Sequence, residues 1–214
     1  MKTKQASCSR TPYKNVGCPS AGRLLKGYPL FLRIENQHCL VFGGGKVAVR
    51  KVQSLLRRGA KVECLSKDFS KAMRNLSKQN PSLLLSRRPA NGHPTRKFLS
   101  RVSAGRTPAR LVIAATSDRE FNRRVGEECR KKKIWVNVVD DPEFCDFYVP
   151  AVLERGPLQV AISTGGASPL FAKRLREELE KVIPVSIGQA LEKIGVMRRN
   201  VILRRSRRMT ENVT

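Results

Sequence analysis

Apolar residues come in short bursts along the chain, punctuated by glycine, proline and clusters of basic residues. Cys39-Leu40-Val41-Phe42 is a continuous apolar run that opens directly into Gly43-Gly44-Gly45. Past the glycines, Val47, Val49, Val52, Leu55 and Leu56 recur at helical spacing, with Lys46, Arg50, Lys51, Arg57 and Arg58 between them. The pattern predicts a strand, a tight turn and a helix, with Gly59 as the helix stop. Residues 61–66 read as a second parallel strand. Residues 68–80 read as a helix with Phe69, Ala72, Met73 and Leu76 on one face. A short strand follows around Leu83-Leu84-Leu85. Residues 89–110 are loop-like and basic, with one helical turn expected at 98–102. A fully apolar strand from Arg110 ends in Thr116-Ser117-Asp118. A helix over 119–132 uses Phe121, Val125 and Cys129, and a strand covers 134–139.

Strands alternating with helices predict an α/β fold, a Rossmann-type doubly wound parallel sheet. The pattern then changes. Residues 151–154 and 158–163 read as strands joined by Arg155-Gly156-Pro157, a hairpin and not another crossover. A helix over 170–182 is capped by Ser168 and Pro169 and broken by Pro184. A second helix covers 187–196, with Gly188 a weak point, and a basic tail follows. Residues 1–26 are polar and basic, without acids or periodicity, and read as a mobile tail. They have the composition of a transit peptide, but Pro12, Gly17, Pro19 and Gly22 fit an amphipathic helix poorly.

The spacing Gly43-x-Gly45-x-x-Ala48 fits the dinucleotide fingerprint. Gly43 can take angles forbidden to side chains, Gly45 lets the main chain approach a pyrophosphate, and Ala48 lets helix and strand pack closely. A bare glycine triplet is most often only a turn; the strand before it and the helix after it give it a nucleotide-binding reading. Glu63 lies at the distance where the fingerprint wants a ribose-binding acid, but it sits mid-strand. The strand tip is Lys67-Asp68. Asp68 suits a ribose hydroxyl and Lys67 suits a 2′-phosphate, so these residues leave NAD and NADP open. Thr116, at the carboxyl end of its strand, borders the same cleft. Asp140-Asp141 ends another strand, and only one of two adjacent acids in extended chain should face the cleft. A carboxylate there is either a solvated turn or a general base. Ser163-Thr164-Gly165-Gly166 offers small polar residues and N–H groups that suit a substrate carboxylate.

Composition narrows the classes. The 214 residues contain no apolar run near membrane length. Six scattered cysteines without a C-x-x-C pair, and only His38 and His93, argue for free thiols in a reducing cytoplasm and against a zinc site. His38 reads as a turn residue. The net charge of +26 suits nucleic acid or a polyanionic small molecule. No aromatic stripe accompanies it, so contact with nucleic acid is expected only as a non-specific charge effect.

Five stretches then fall into a recognisable order: Tyr28-Pro29-Leu30-Phe31-Leu32; the glycine turn from Val41 to Lys51; Leu111-Val112-Ile113-Ala114-Ala115-Thr116; Asn137-Val138-Val139-Asp140-Asp141-Pro142; and the block from Gly156 to Pro169. Together they resemble the precorrin-2 dehydrogenase family, which includes sirohydrochlorin ferrochelatases and the N-terminal module of sirohaem synthase. The resemblance implies an oxidoreductase in which precorrin-2 loses two hydrogens to NAD and becomes sirohydrochlorin. It implies Asp140 as the general base. It places NAD against Gly43, Gly44, Gly45, Lys46 and Val47, with Lys67, Asp68 and Thr116 beside it. Asn137, Ser163, Thr164, Gly165 and Gly166 are then the expected substrate contacts, with no resident metal. The family generally uses NAD, which favours NAD here, while Lys67 keeps NADP use open. A homodimer is implied, built by the hairpin region.

The expected division is a basic tail over 1–26, an NAD-binding Rossmann domain over 27–142, a dimerisation and substrate region over 143–169 and a helical region over 170–214. One alternative is a bifunctional enzyme that also inserts ferrous iron. Another, from a different class, is a nucleotide-sensing module whose basic tails bind a polyanion. Carboxylates around the precorrin-2 rim give part of the positive charge a purpose.

Overall fold

Strands β1 (His38–Phe42), β2 (Lys61–Ser66), β3 (Leu83–Arg87), β4 (Leu111–Ala114) and β5 (Trp135–Val138) form one sheet in the order β3-β2-β1-β4-β5. All four pairings are parallel. The computed structural model describes residues 27–87 and 109–211. The expected tail 1–26, the helical turn at 98–102 and His93 lie outside the described residues.

The central strands β1, after His38, and β4 are continuous buried apolar runs because both faces of the sheet are covered there, while the edge strand β3 keeps polar and exposed positions. Alternate side chains serve opposite layers. Cys39, Val41, Val62, Cys64 and Ile113 pack with Ala48, Val52 and Leu55 of helix α1 (Lys46–Leu56) and Met73 of α2 (Lys71–Gln79). Leu40, Phe42, Leu65, Val112 and Val136 pack with Phe121, Val125 and Cys129 of α3 (Arg119–Lys131). Phe42 and Phe121 meet edge to face at 5.5 Å. This is the doubly wound, Rossmann-type arrangement expected from the alternation of strands and helices, and its strand order reverses between β1 and β4.

Three local readings change. The second helix starts at Lys71 and not at 68, because the Ser70 hydroxyl accepts the Met73 N–H at 3.3 Å and caps it there. His38 is the first residue of β1 and not a turn residue. Its Nε2 lies 3.8 Å from Glu63, and its buried Nδ1 has no partner among the described residues. Glu63 itself accepts the Ser86 hydroxyl at 2.6 Å, which ties it into the sheet. The last helix is the third case and belongs to the following unit.

The chain divides into two compact units, one ending at Tyr148 and one starting at Val149. In the second, β6 (Ala151–Arg155) and β7 (Leu158–Ile162) form the expected antiparallel hairpin. Helices α4 (Pro169–Val182) and α5 (Ser186–Glu211) follow. Arg155 donates from Nε to the Ile183 carbonyl and from Nη2 to the Glu180 carbonyl, each at 3.0 Å, and so satisfies the end of α4. Gly188 is no weak point. A Cβ there would lie 2.6 Å from the Arg155 carbonyl oxygen, so only glycine lets α5 approach the hairpin turn. The helix continues past 196 to Glu211, where a basic tail was expected. From 197 on there is no glycine or proline, and Arg, Met, Leu and Ile sustain a helix well.

Candidate active site

The carboxyl ends of β1, β2, β4 and β5 carry the candidate residues of the first unit. Gly43 leaves β1 at φ +126°, and its N–H donates to the Leu65 carbonyl at 2.9 Å. A Cβ at Gly43 would sit 2.3 Å from the Ala115 carbonyl oxygen. A Cβ at Gly44 would sit 2.0 Å from the Asp68 carbonyl oxygen. These two glycines are required by close packing against the ends of β4 and β2. Gly45 is different. Its φ is ordinary, −87°, and a Cβ on it would meet nothing within 4 Å. The space in front of it is open, at the entry to α1.

The start of α1 has a second property. Helices α2, α3 and α4 are each capped by a side chain, from Ser70, Asp118 and Ser168. Helix α1 has no side-chain cap. Its first N–H groups, beginning at Lys46 and Val47, are left to an external acceptor, and the helix dipole favours an anion there. Glycines with no room for a side chain, open space before Gly45 and an uncapped helix start fit a dinucleotide pyrophosphate.

Lys67 and Asp68 follow β2 and are both exposed. The Ser70 N–H donates to the Gly44 carbonyl at 3.0 Å, which joins this segment to the glycine turn. Across the switch point, Thr116 is held by a residue that sequence reasoning missed. Asn122, only 3% exposed, accepts the Thr116 hydroxyl at 2.6 Å and donates to the Thr116 carbonyl at 2.9 Å. A polar residue on the apolar stripe of Phe121, Val125 and Cys129 was the available signal.

The two acids after β5 separate cleanly. Asp141 pairs with Arg123 at 2.8 Å. Asp140 is exposed, stands in the left-handed region at φ +62° and has no hydrogen-bond or ion-pair partner among the described residues. Beneath this turn, the buried Cys145 thiol donates to the Val138 carbonyl at 3.1 Å, and burial raises its pKa. It stays a neutral packing group. Asn137 is 7% exposed, and its amide donates to the Phe147 carbonyl at 2.9 Å. The structure thus places Asn137 behind the turn rather than on an open surface.

Ser163, Thr164, Gly165 and Gly166 lie in the second unit. Much of their hydrogen bonding is internal. The Ser163 hydroxyl accepts the Gly165 N–H, the Thr164 hydroxyl accepts the Ser168 N–H, and the Thr164 carbonyl accepts the Ala167 N–H. The Gly166 N–H has no partner among the described residues. Gly165 and Gly166 both take positive φ, +59° and +85°, so the loop depends on glycine. The described residues contain no group of three His, Cys, Asp or Glu side chains able to hold a metal.

Comparison with known proteins decides the class. A family described as putative NAD(P)-binding matches residues 30–151. The chain belongs to this NAD(P)-binding family. A second family, described as sirohaem biosynthesis protein central, matches residues 155–181, which cover much of the hairpin turn, the glycine loop and α4. The siroheme synthase of Nitrosomonas europaea is 42% identical over 164 residues, covering 77% of this chain and 32% of that protein. The siroheme synthase of Thioalkalivibrio sulfidiphilus is 42% identical over 163 residues, covering 76% of this chain and 31% of that protein. The chain spans about a third of the length of these curated relatives. Among solved structures, a protein titled "SirC, precorrin-2 dehydrogenase" is 26% identical, with a TM-score of 0.60 over 78% of this chain and 76% of that one. The sirohaem-related resemblance read from the motifs is borne out. The residues matched by the NAD(P)-binding family include the glycine turn, α1 and the carboxyl ends of β2 and β4.

Proposed function

We propose that the protein removes two hydrogens from precorrin-2 to give sirohydrochlorin, with NAD as the acceptor. Bound NAD supplies the electrophilic ring that accepts hydride from one substrate C–H bond. Asp140 takes the proton from the second, so one hydride and one proton leave together and the new double bond forms between the two carbons. The observation that carries this reading is Asp140 itself. It is an unpaired carboxylate, held in a left-handed turn at the same edge of the sheet as the uncapped glycine turn. Its neighbour Asp141 is neutralised by Arg123, which leaves one acid for proton transfer. The siroheme synthases and the precorrin-2 dehydrogenase structure support the choice of substrate.

In this reading Gly43, Gly44, Gly45, Lys46 and Val47 cradle the pyrophosphate, Asp68 and Lys67 face the adenosine ribose, and Thr116 borders the nicotinamide side. Asn137 positions the Asp140 turn from behind. Ser163 to Gly166, taken within the second unit, suit a carboxylate, the Gly166 N–H being open among the described residues. The second unit makes a homodimer. Its exposed Phe171, Val182 and Val185, at 58%, 75% and 66%, support that as apolar surface in want of a partner. Four buried free thiols, Cys39, Cys64, Cys129 and Cys145, support a reducing cytoplasmic setting. No described helix is long and apolar enough to cross a membrane.

Anaerobic turnover tests the reading. Wild-type protein with precorrin-2 and NAD, without metal, should produce NADH and the sirohydrochlorin spectrum in equal amounts. Asp140→Asn keeps a residue that tolerates the left-handed turn but removes the base. It should lower turnover by about 10²-fold or more while NAD binding is retained. Wild-type protein that binds NAD yet forms neither product overturns the dehydrogenase reading. DNA binding by that same inactive protein that persists above about 200 mM salt and is unaffected by Asp140→Asn favours the polyanion-binding alternative.

A further inference from the structure

Next to the glycine turn lies a pocket of about 270 Å³, lined by Lys67, Asp68, Phe69, Arg74, Leu85 and Arg87. Its position follows from the chain path. The Asp68 carbonyl sits against Gly44, so the pocket begins where β2 meets the pyrophosphate cradle. In a doubly wound dinucleotide site, the adenosine runs from the pyrophosphate over the end of the second strand, and its 2′ position is read there. An NAD site needs an acid at that tip, and Asp68 is available. This chain adds three cations, Lys67 from the tip, Arg74 from α2 and Arg87 from the end of β3.

Among the described residues, the cations are not committed elsewhere. Arg74 is held by one edge only, its Nε donating to the Phe69 carbonyl at 3.1 Å, which orients the rest of its fork. Arg87 approaches Asp68 at 3.9 Å, with the two side chains 83% and 85% exposed. So loose a pair in water contributes little and gives way to a better anion. A phosphate monoester is a better anion, since it carries close to two charges and three acceptor oxygens. Three cations face one carboxylate in the lining, so the field favours an added anion. Phe69 and Leu85 supply apolar surface for the adenine beside it.

Resting on the dinucleotide reading proposed above, we infer that this pocket is a 2′-phosphate subsite, so that the chain accepts NADP as well as NAD. Lys67, Arg74 and Arg87 hold the phosphate, and Asp68 serves the free 2′-hydroxyl when NAD is bound. The single site then handles both dinucleotides through alternative partners at one ribose oxygen.

Calorimetric titration of the full chain with NAD and with NADP, in the absence of tetrapyrrole, tests this. Wild-type dissociation constants for the two should lie within about tenfold of each other at low salt. The double variant Arg74→Ala, Arg87→Ala should weaken NADP by about tenfold or more and leave NAD within about twofold, since two charge-assisted contacts are lost from NADP alone. Added salt should weaken NADP more steeply than NAD. Wild-type protein that binds NAD but takes NADP more than about tenfold more weakly overturns the inference and leaves the NAD reading standing. Equal loss of both ligands in the double variant also overturns it, by showing that the arginines only support the loop. Binding of neither dinucleotide to the wild type overturns this inference and the proposed function together.

Discussion

Gly43, Gly44 and Gly45 look alike in the sequence and do different work in the fold. Gly43 and Gly44 are glycine because β4 and β2 leave no room for a Cβ. Gly45 faces open space with an ordinary backbone, so the fold does not need glycine there. Gly45→Ala should therefore leave the urea unfolding midpoint nearly unchanged, within about 0.5 kcal/mol. It should nonetheless weaken NAD by about tenfold or more, because the methyl occupies the approach of the pyrophosphate. A loss of stability with binding intact would contradict the assignment of that space to a ligand. The same separation of like residues holds at Asp140 and Asp141. The first is unpaired on a left-handed turn and the second is paired with Arg123, and only the three-dimensional position of Arg123 tells them apart.

At the scale of elements, side-chain caps start α2, α3 and α4 but not α1. Asp118 accepts the Phe121 N–H at 2.9 Å and starts α3, which also carries Asn122 to Thr116. Asp118→Ala should lower the unfolding free energy by about 1 kcal/mol, read from denaturant midpoints at constant slope. No comparable cap can be removed from α1, whose start has no side-chain cap. The buried thiols give β2 and α3 a shared pH response. Burial raises Cys64 and Cys129 from 9.0 to about 12. A raised folded-state pKa means the folded protein holds the proton longer than the unfolded chain. The contribution is complete below about pH 9 and is lost as pH rises toward about 12, by up to about 1.4 kcal/mol per pH unit for each thiol. Urea midpoints measured at about pH 8 and about pH 10.5 should fall with pH, and Cys64→Ala should flatten the fall.

For the whole molecule, the charge of +26 is a statement about encounters, not about fold. The protein should retain DNA on a column at low salt and release it between about 50 and 200 mM salt, without sequence preference. Retention that resists salt or selects a sequence would point to a built nucleic-acid surface. What the sequence determined by itself is local and periodic. Apolar runs such as Cys39 to Phe42 become strands because both faces are covered, and Val49, Val52 and Leu55 become a helix face because their spacing matches the helical turn. The spacing of Gly43, Gly45 and Ala48 between a strand and a helix matches the dinucleotide fingerprint and is readable without the fold. What the tertiary structure decided is everything that depends on a distant neighbour. Asn122 beneath Thr116, Arg123 on Asp141, and Arg87 brought by β3 beside Lys67 and Asp68 are separated along the chain, and only the parallel sheet and its covering helices bring them together. The reach of α5 to Glu211 was legible in principle, since no breaker interrupts it, but dense basic charge reads as tail when no local signal marks a stop. Periodicity fixes which side chains share a face. Which face meets which partner is set by the order in which the strands pair, and no short stretch of sequence contains that order.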